Sequence, residues 1–149
     1  MRSLLHPRAG LGVMLLGELM LLGGCPQPGG PGGGNACFVD EECVQGEVCA
    51  RDEICWPQGE VRFVKATWTV NGMAASKTTC ASHPDLYIRF DGNVPDDLSF
   101  APVPCEIGQF IVDRLPQPYT TVELRLNKRT PGRITAIGAD GTAALDLPL

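Results

Sequence analysis

Histidine, net positive charge and long apolar runs are all scarce in this sequence. Of its two histidines, only His83 follows the first 25 residues. The formal net charge is −5, and a negative surface field disfavours binding to nucleic acid or to anionic lipid. No stretch after Cys25 is long and apolar enough to span a bilayer. The glycines at 29–34 neither follow a strand nor open a helix, so they do not predict a phosphate-binding loop.

The few residues that could carry catalysis are better explained as loop residues. His83 lies in the turn His83-Pro84-Asp85, before a predicted strand. Ser82 precedes it, and neighbouring side chains in a strand point to opposite faces, so the two do not predict a catalytic pair. No histidine accompanies the cysteines, which disfavours a catalytic thiol. We therefore expect a protein that is not an enzyme.

The acidic turn from Asp91 to Asp97 is the candidate calcium site. Asp91, Asn93, Asp96 and Asp97 supply oxygen ligands, which calcium prefers. Their spacing lacks the order of a known calcium loop, so a solvated turn is the favoured interpretation and calcium is the alternative. Zinc is also disfavoured, because five residues separate successive cysteines at 37–55 and structural zinc sites use closer pairs. We expect no metal and no cofactor.

The first 24 residues have the layout of a secretory signal. Arg2 and Arg8 give a basic beginning, and an apolar stretch then runs to residue 22. This stretch is too short for a membrane span, and Glu18 inside it opposes insertion. The alternatives are an ordinary signal peptide with a coincidental cysteine, or a start wrongly assigned upstream of Met14.

Leu22-Gly23-Gly24-Cys25 resembles the lipobox of bacterial lipoproteins, in which an aliphatic residue and two small residues precede a cysteine. The resemblance implies cleavage before Cys25, diacylglycerol on its thiol, and often acylation of the new amino group. Two or three acyl chains anchor a protein stably, whereas one holds it only weakly. We therefore expect a bacterial cell-envelope protein that acyl chains on Cys25 attach to the outer membrane, on its periplasmic side or at the cell surface.

The number of cysteines agrees with this interpretation. The sequence has seven: Cys25, Cys37, Cys43, Cys49, Cys55, Cys80 and Cys105. An odd number in an exported protein leaves one thiol to explain, and lipid on Cys25 leaves six for three disulfides. An oxidising compartment outside the cytoplasm makes such bonds durable.

Composition divides the chain into four segments. Residues 1–24 are the predicted signal peptide, and 25–36 are the lipidated cysteine and a glycine- and proline-rich flexible tether. Residues 37–58 are a cysteine-rich module, and 60–149 are a β domain. Without two arginines and one glutamate of the signal peptide, the net charge becomes −6.

The module has its four cysteines at even spacing, with five residues in every gap. Its polar content cannot build an apolar core, so we expect disulfides to stabilise it. Four cysteines allow three connectivities. We favour Cys37–Cys49 with Cys43–Cys55, because alternating pairs interlock two short loops. The spacing resembles short cysteine-rich repeats of exported bacterial and animal proteins, which implies a spacer or an interaction element.

From residue 60 onward, apolar residues recur with a period of two. The clearest predicted strands are 64–70, 86–91, 110–113, 121–126, 134–136 and 143–147, and the weaker ones are 73–80 and 98–100. Asn71-Gly72 and Asp140-Gly141 predict hairpin turns. Six to eight short strands without an amphipathic helix predict a small antiparallel β-sandwich. Trp68 is its expected core aromatic, and Cys80 and Cys105 are left to form a disulfide within it.

The run from Gly108 to Leu124 resembles the "G-x-F-x-I-x-x-L-P-x-G-x-Y-x-V" run of carboxypeptidase-regulatory-like, transthyretin-related sandwiches. Pro118 replaces the usual glycine, and the spacing before Val122 is shifted by one residue. The resemblance implies a seven-stranded prealbumin-like sandwich, in which one strand ends at Leu-Pro and Tyr119 begins the next. Such sandwiches usually serve as non-catalytic accessory or display domains.

The expected protein is therefore all-β, with a small sandwich of prealbumin or immunoglobulin type behind a disulfide-rich module. Its expected function is that of a non-catalytic lipoprotein that binds an envelope protein or polysaccharide. A structural spacer or display module without its own ligand is the alternative, and a hydrolytic enzyme is the least favoured interpretation.

Mass spectrometry of the protein from its native host tests the lipid anchor. We expect a chain that begins at Cys25 and carries diacylglycerol, because the cysteine of the lipobox is the acylated residue. A Cys25→Ser variant is expected to lose the lipid mass and to leave the membrane fraction. An unmodified residue 25 on an uncleaved chain would contradict the interpretation.

Overall fold

The computed structural model describes residues 35–149, so Cys25, the signal peptide and most of the tether lie outside the described residues. The described part consists of a small disulfide-bonded module followed by a two-sheet β-sandwich. The predicted fold class, an all-β sandwich behind a disulfide-rich module, is confirmed.

Disulfides take the place of a hydrophobic core in the module. Its strands β1 (Glu47–Cys49) and β2 (Cys55–Pro57) form one antiparallel pair, preceded by a 3-10 turn at Asp40–Glu42. Bonds join Cys37 to Cys49 and Cys43 to Cys55, which are the alternating pairs favoured from the sequence. Cys37 and Cys55 are almost completely buried. The two cross-links lower the conformational entropy of the unfolded segment. This stabilises the folded module, whose polar sequence buries too little apolar surface to do so.

Eight strands form the sandwich. They are β3 (Val61–Val70), β4 (Met73–Ala74), β5 (Asp85–Gly92), β6 (Leu98–Pro104), β7 (Gln109–Pro116), β8 (Tyr119–Arg125), β9 (Arg133–Ala136) and β10 (Thr142–Leu147). In the first sheet, β3 is the central strand. Strand β10 pairs with one edge of β3, and strands β7 and β4 pair with different parts of its other edge. The second sheet has the order β6-β5-β8-β9. The resemblance implied seven strands, whereas the sandwich has eight.

Alternating residues of both sheets fill the space between them. The inward side chains on β3 are Val64, Ala66, Trp68 and Val70, which face Leu86, Ile88 and Phe90 on β5 and Val122 and Leu124 on β8. The ring of Phe110 on β7 lies 6.4 Å from Phe90 and 4.9 Å from Phe100 between ring centroids, so aromatic contacts link the sheets. Trp68 is buried, as predicted, and its indole N–H donates to the carbonyl of Cys105 at 2.9 Å.

One of the two predicted hairpin turns is correct. Asn71 and Gly72, with φ of 51° and 73°, join β3 to β4 through a two-residue turn that requires left-handed backbone at both positions. The hairpin at Asp140-Gly141 is wrong, because β9 pairs with β8 whereas β10 runs parallel to β3 in the other sheet. A turn residue in the sequence marks a reversal, but it does not say which sheet the next strand joins.

A buried carboxylate lies on the outer face of the second sheet. Glu123 on β8 is 4% exposed, and its Oε2 lies 2.5 Å from Arg125 Nη2 and 3.1 Å from Arg89 Nε. Burial acts to raise the pKa of Glu123, but the hydrogen bond from Arg125 and both positive charges outweigh it, and the pKa lies below its usual value. Its stabilising contribution is present at neutral pH and is lost as the pH falls through that lowered pKa.

The Cys80–Cys105 disulfide closes a loop of 25 residues in the sandwich, and both cysteines are buried. We expect the double variant Cys80→Ala/Cys105→Ala to lower the free energy of unfolding by about 3–4 kcal/mol, since the denatured chain gains the freedom of that loop. Urea unfolding followed by tryptophan fluorescence measures the difference. A loss below about 1 kcal/mol would show that this cross-link does not restrict the conformational freedom of the denatured chain.

Candidate functional site

Two ion pairs of opposite polarity hold the module against β7. Arg51 of the module places Nε 2.7 Å from Asp113 Oδ1, and Arg114, the next residue on β7, places Nη1 2.5 Å from Asp40 Oδ1. We call this pair of contacts the clasp. The hydrogen bond from Arg51 lowers the pKa of Asp113, and the backbone N–H of Cys49, followed by Arg114, lowers the pKa of Asp40.

Backbone hydrogen bonds reinforce the clasp. The N–H of Arg51 donates to the carbonyl of Arg114 at 3.3 Å. Arg114 has a φ of 55°, a left-handed conformation that is uncommon for a residue other than glycine. Beyond the clasp, the backbone N–H of Gln117 donates to the backbone carbonyl of Glu60 at 2.8 Å. The side-chain amide of Gln117 donates to the backbone carbonyl of Gly59 at 3.0 Å. The module is therefore attached to both the end of β7 and the turn that follows it.

This docking encloses a cleft of about 530 Å³ between the module and the sandwich. We call it the junction cleft. Its module side consists of Asp52, Ile54 and Trp56, with Glu60 of the segment that connects the two units, and its sandwich side consists of the loop 93–96 with Pro118 and Tyr119. Clefts of about 300–1,000 Å³ are typical of small-ligand sites.

Asp52 is the least exposed of the three carboxylates that line the junction cleft. Its Oδ2 accepts the indole N–H of Trp56 at 3.1 Å, and its Oδ1 accepts the backbone N–H of Ile54 at 3.3 Å. Burial raises the pKa of Asp52 despite these two hydrogen bonds. No ion pair to Asp52 is found within residues 35–149, so its partial desolvation is not compensated by a cation of the chain.

Tyr119 forms the opposite wall. Its ring is buried, its hydroxyl donates to the carbonyl of Asp96 at 3.2 Å, and its own carbonyl accepts Arg62 Nη2 at 2.7 Å. Burial, followed by the negative charges of Asp52 and Asp96, raises the pKa of Tyr119 to about 12. The phenol is therefore neutral at physiological pH, and it acts as a fixed support for the loop 93–96.

A close backbone approach fixes the rim of this wall. A Cβ atom on Gly92 would lie 2.0 Å from the carbonyl oxygen of Pro118, so only glycine fits there. The next residue, Asn93, donates its backbone N–H to the same carbonyl at 3.1 Å. The loop 93–96 is thus held against the turn between β7 and β8, opposite the module.

The negative charge of the described chain is concentrated on the module side. Residues 37–60 contain seven acidic residues and one basic residue, Arg51, which gives a net charge of −6. Residues 61–149 contain nine of each sign and are neutral overall. The junction cleft therefore lies where an acidic module meets a sandwich without net charge.

The structure places the sequence-derived candidates elsewhere. His83 Nδ1 lies 3.1 Å from Ser82 Oγ, so the argument that their side chains point apart is wrong, because the two lie in a turn and not in a strand. No carboxylate accepts a hydrogen bond from His83 within residues 35–149, and His83 does not line the junction cleft.

The candidate calcium turn is divided between two surroundings. Asp91 pairs with Arg89 at 3.1 Å and accepts the N–H of Gly92 at 2.7 Å, whereas Asp96 lines the junction cleft. In the described part of the chain, the one group of three potential ligands within 4.8 Å is Cys37, Cys43 and Cys55. Those sulfurs belong to the module's two disulfides, which explains their proximity without a metal.

The sequence pointed to only part of the junction cleft. Pro118 and Tyr119 entered through the resemblance to transthyretin-related sandwiches, and Asn93 and Asp96 belonged to the candidate calcium turn. The sequence did not indicate that Asp52, Glu60 and Asp96 line one cleft, because Asp96 is distant from the other two in sequence and lies on a different unit. The uneven charge of the two units was the readable signal, since seven acidic residues fall between residues 37 and 60.

None of the helical segments within residues 35–149 is long and apolar enough to cross a membrane. In the comparisons with known proteins, no family model, no curated protein and no solved structure matches this chain.

Removing one half of the clasp is expected to loosen the module. Because the side chains of Arg51 and Asp113 are both about half exposed, the pair contributes about 0.5–1 kcal/mol. Asp113→Asn should therefore raise the hydrogen-exchange rate of the Arg51 amide about two- to fivefold. Lys77→Ala, which removes an exposed charge on the sandwich, serves as the control.

Reversing the pair tests its electrostatic origin. The double variant Arg51→Glu/Asp113→Arg keeps the attraction and is expected to restore most of the protection of the module amides. Exchange as fast as in Asp113→Asn would show that the ion pair does not hold the module.

Proposed function

We propose that this chain is a lipid-anchored, non-catalytic protein of the bacterial cell envelope, and that its junction cleft binds another envelope protein or polymer. The lipobox-like sequence before Cys25 supports the location. The junction cleft supports binding, and it is the observation that carries the proposal.

Three properties of the cleft favour a binding role. Its volume of about 530 Å³ lies in the range of ligand sites. It combines apolar walls with a few polar groups, which is the usual composition of such sites. Its walls come from two units held together by the clasp, by backbone hydrogen bonds and by the covalent connection at Pro57–Glu60, so the site is pre-formed before a ligand arrives.

The arrangement offers recognition and no evident catalyst. The carboxylate of Asp52 accepts hydrogen bonds from groups of its own module, and the hydroxyl of Tyr119 donates to a backbone carbonyl. Neither group is paired with a histidine, a cysteine thiol or a hydroxyl nucleophile within residues 35–149. A structural spacer is the alternative, and the two functions differ in whether the cleft has an occupant.

Photo-crosslinking in cells of the native host tests this proposal. A photoreactive amino acid at position 93, on the exposed rim of the cleft, is expected to form a discrete adduct with an envelope component. The same group at position 129, on the loop between β8 and β9 outside the cleft, is the control and should not form that adduct.

Whether the adduct from position 93 requires an intact cleft distinguishes a binding role from a spacer. Gly92→Ala, which forces the turn at Pro118 away from β5, should abolish the adduct from position 93. Equal labelling from positions 93 and 129, or labelling unaffected by Gly92→Ala in a folded variant, would favour the spacer and contradict a binding role for the cleft.

A further inference from the structure

We infer that the junction cleft binds an extended, cationic peptide segment, with a lysine or arginine side chain inserted between the module and the loop 93–96. This inference rests on the proposed function and names the class of ligand for the same cleft. It is carried by the charges of the cleft, by the chemistry of its walls and by the field of the module.

Every charged side chain that lines the cleft is acidic. Asp52 and Glu60 come from the module side and Asp96 from the sandwich side. None of the three forms an ion pair with another residue in the range 35–149, because the five ion pairs found there all use other carboxylates. Carboxylates gathered from two units and left without a cation favour a ligand that brings one.

The position of Asp52 strengthens this argument. Burial removes part of the water around its carboxylate, and two hydrogen bonds from neutral donors do not replace a positive charge. A bound ammonium or guanidinium group would stabilise the ionised form. An ion pair in such a partly dry site is worth more than one on an open surface.

The walls fit the stem of a basic side chain. Ile54, Val94, Pro95 and Pro118 supply aliphatic surface beside the carboxylates. Lysine and arginine place an apolar stem against such surface while the charged head reaches a polar group. A volume of about 530 Å³ also leaves room for the residues that flank the inserted side chain.

The aromatic residues favour a peptide over a cationic sugar. Trp56 and Tyr119 are 5% and 3% exposed, so neither presents an open ring face on which a sugar could stack. Residues 37–60 carry a net charge of −6 and thus attract a cationic partner toward the cleft before contact.

The neighbouring groove at the clasp differs from the junction cleft because it contains two basic residues of the chain, Arg51 and Arg114. It has a volume of about 570 Å³ and is also lined by module and sandwich residues. Asp40 and Asp113 there are paired with Arg114 and Arg51, and the exposed Glu41 and Glu53 share the groove with these two arginines. A cationic ligand there would have to displace the contacts that hold the module in place.

Selection from a library of displayed random peptides tests the inference. The bait is the intact chain in a non-ionic detergent. Each selected peptide is then measured on the wild type, on the cleft variant Asp52→Asn/Glu60→Gln/Asp96→Asn, and on the control variant Glu41→Gln/Glu53→Gln/Glu106→Gln. Both variants lose three negative charges, and the control positions are exposed and lie outside the cleft.

We expect peptides with one or two lysines or arginines to be selected and to bind the cleft variant at least about tenfold more weakly than the wild type. The control variant should change their affinity less than about threefold, through the loss of general attraction. Acetylation of the lysine in a synthetic copy of a selected peptide should reproduce the loss. Near-ultraviolet circular dichroism confirms that both variants are folded.

Other outcomes overturn the inference. They are cleft-dependent peptides that are neutral or acidic, a loss of affinity that is equal in both variants, no cleft-dependent peptide at all, and cleft-dependent binding of chitosan oligomers in place of peptides. Adducts from position 93 that depend on the cleft, but join it to a neutral segment or a polysaccharide, would refute the cationic peptide and leave the proposed function standing. Absence of those adducts would refute both.

Discussion

The clasp joins the module to the sandwich, because Asp113 and Arg114 on β7 each bind a residue of opposite charge on the module. The position of the junction cleft depends on this contact. A module of this size cannot position itself, because its interior is cystine and not apolar core. Its disulfides define its shape, and the clasp defines where that shape lies on the sandwich. The junction cleft depends on how the two units meet, since its walls come from both.

The energetics of this arrangement are unevenly distributed. The sandwich is stabilised by its own apolar core and by Cys80–Cys105. The module depends on its own disulfides for order, and it is docked by exposed ion pairs, which contribute little each, together with backbone hydrogen bonds and the covalent connection. Two pairs of opposite polarity nevertheless specify one orientation, because a rotated module would bring like charges together. The contact thus provides orientation more than stability.

Much of the fold was readable from the sequence, for identifiable physical reasons. The alternation of Val64, Ala66, Trp68 and Val70 marks an inward face, and Asn71-Gly72 requires the left-handed backbone of a tight hairpin. The even cysteine spacing suggested the pairs that the structure contains. Asp140-Gly141 misled because a turn dipeptide does not specify the sheet of the next strand. The junction cleft was not predictable, since Asp52 and Asp96 meet only through a docking contact that no local pattern encodes.

The most direct test of this account is whether module and sandwich move as one rigid body in solution. Residual dipolar couplings of backbone amides in a weakly aligned sample measure the orientation of each unit separately. Couplings from 37–58 and from 61–149 that fit one common alignment tensor, with the module oriented as the clasp requires, are the predicted result. Two different tensors, with a much weaker alignment for the module, would mean that the units tumble independently and that the junction cleft is not a persistent site.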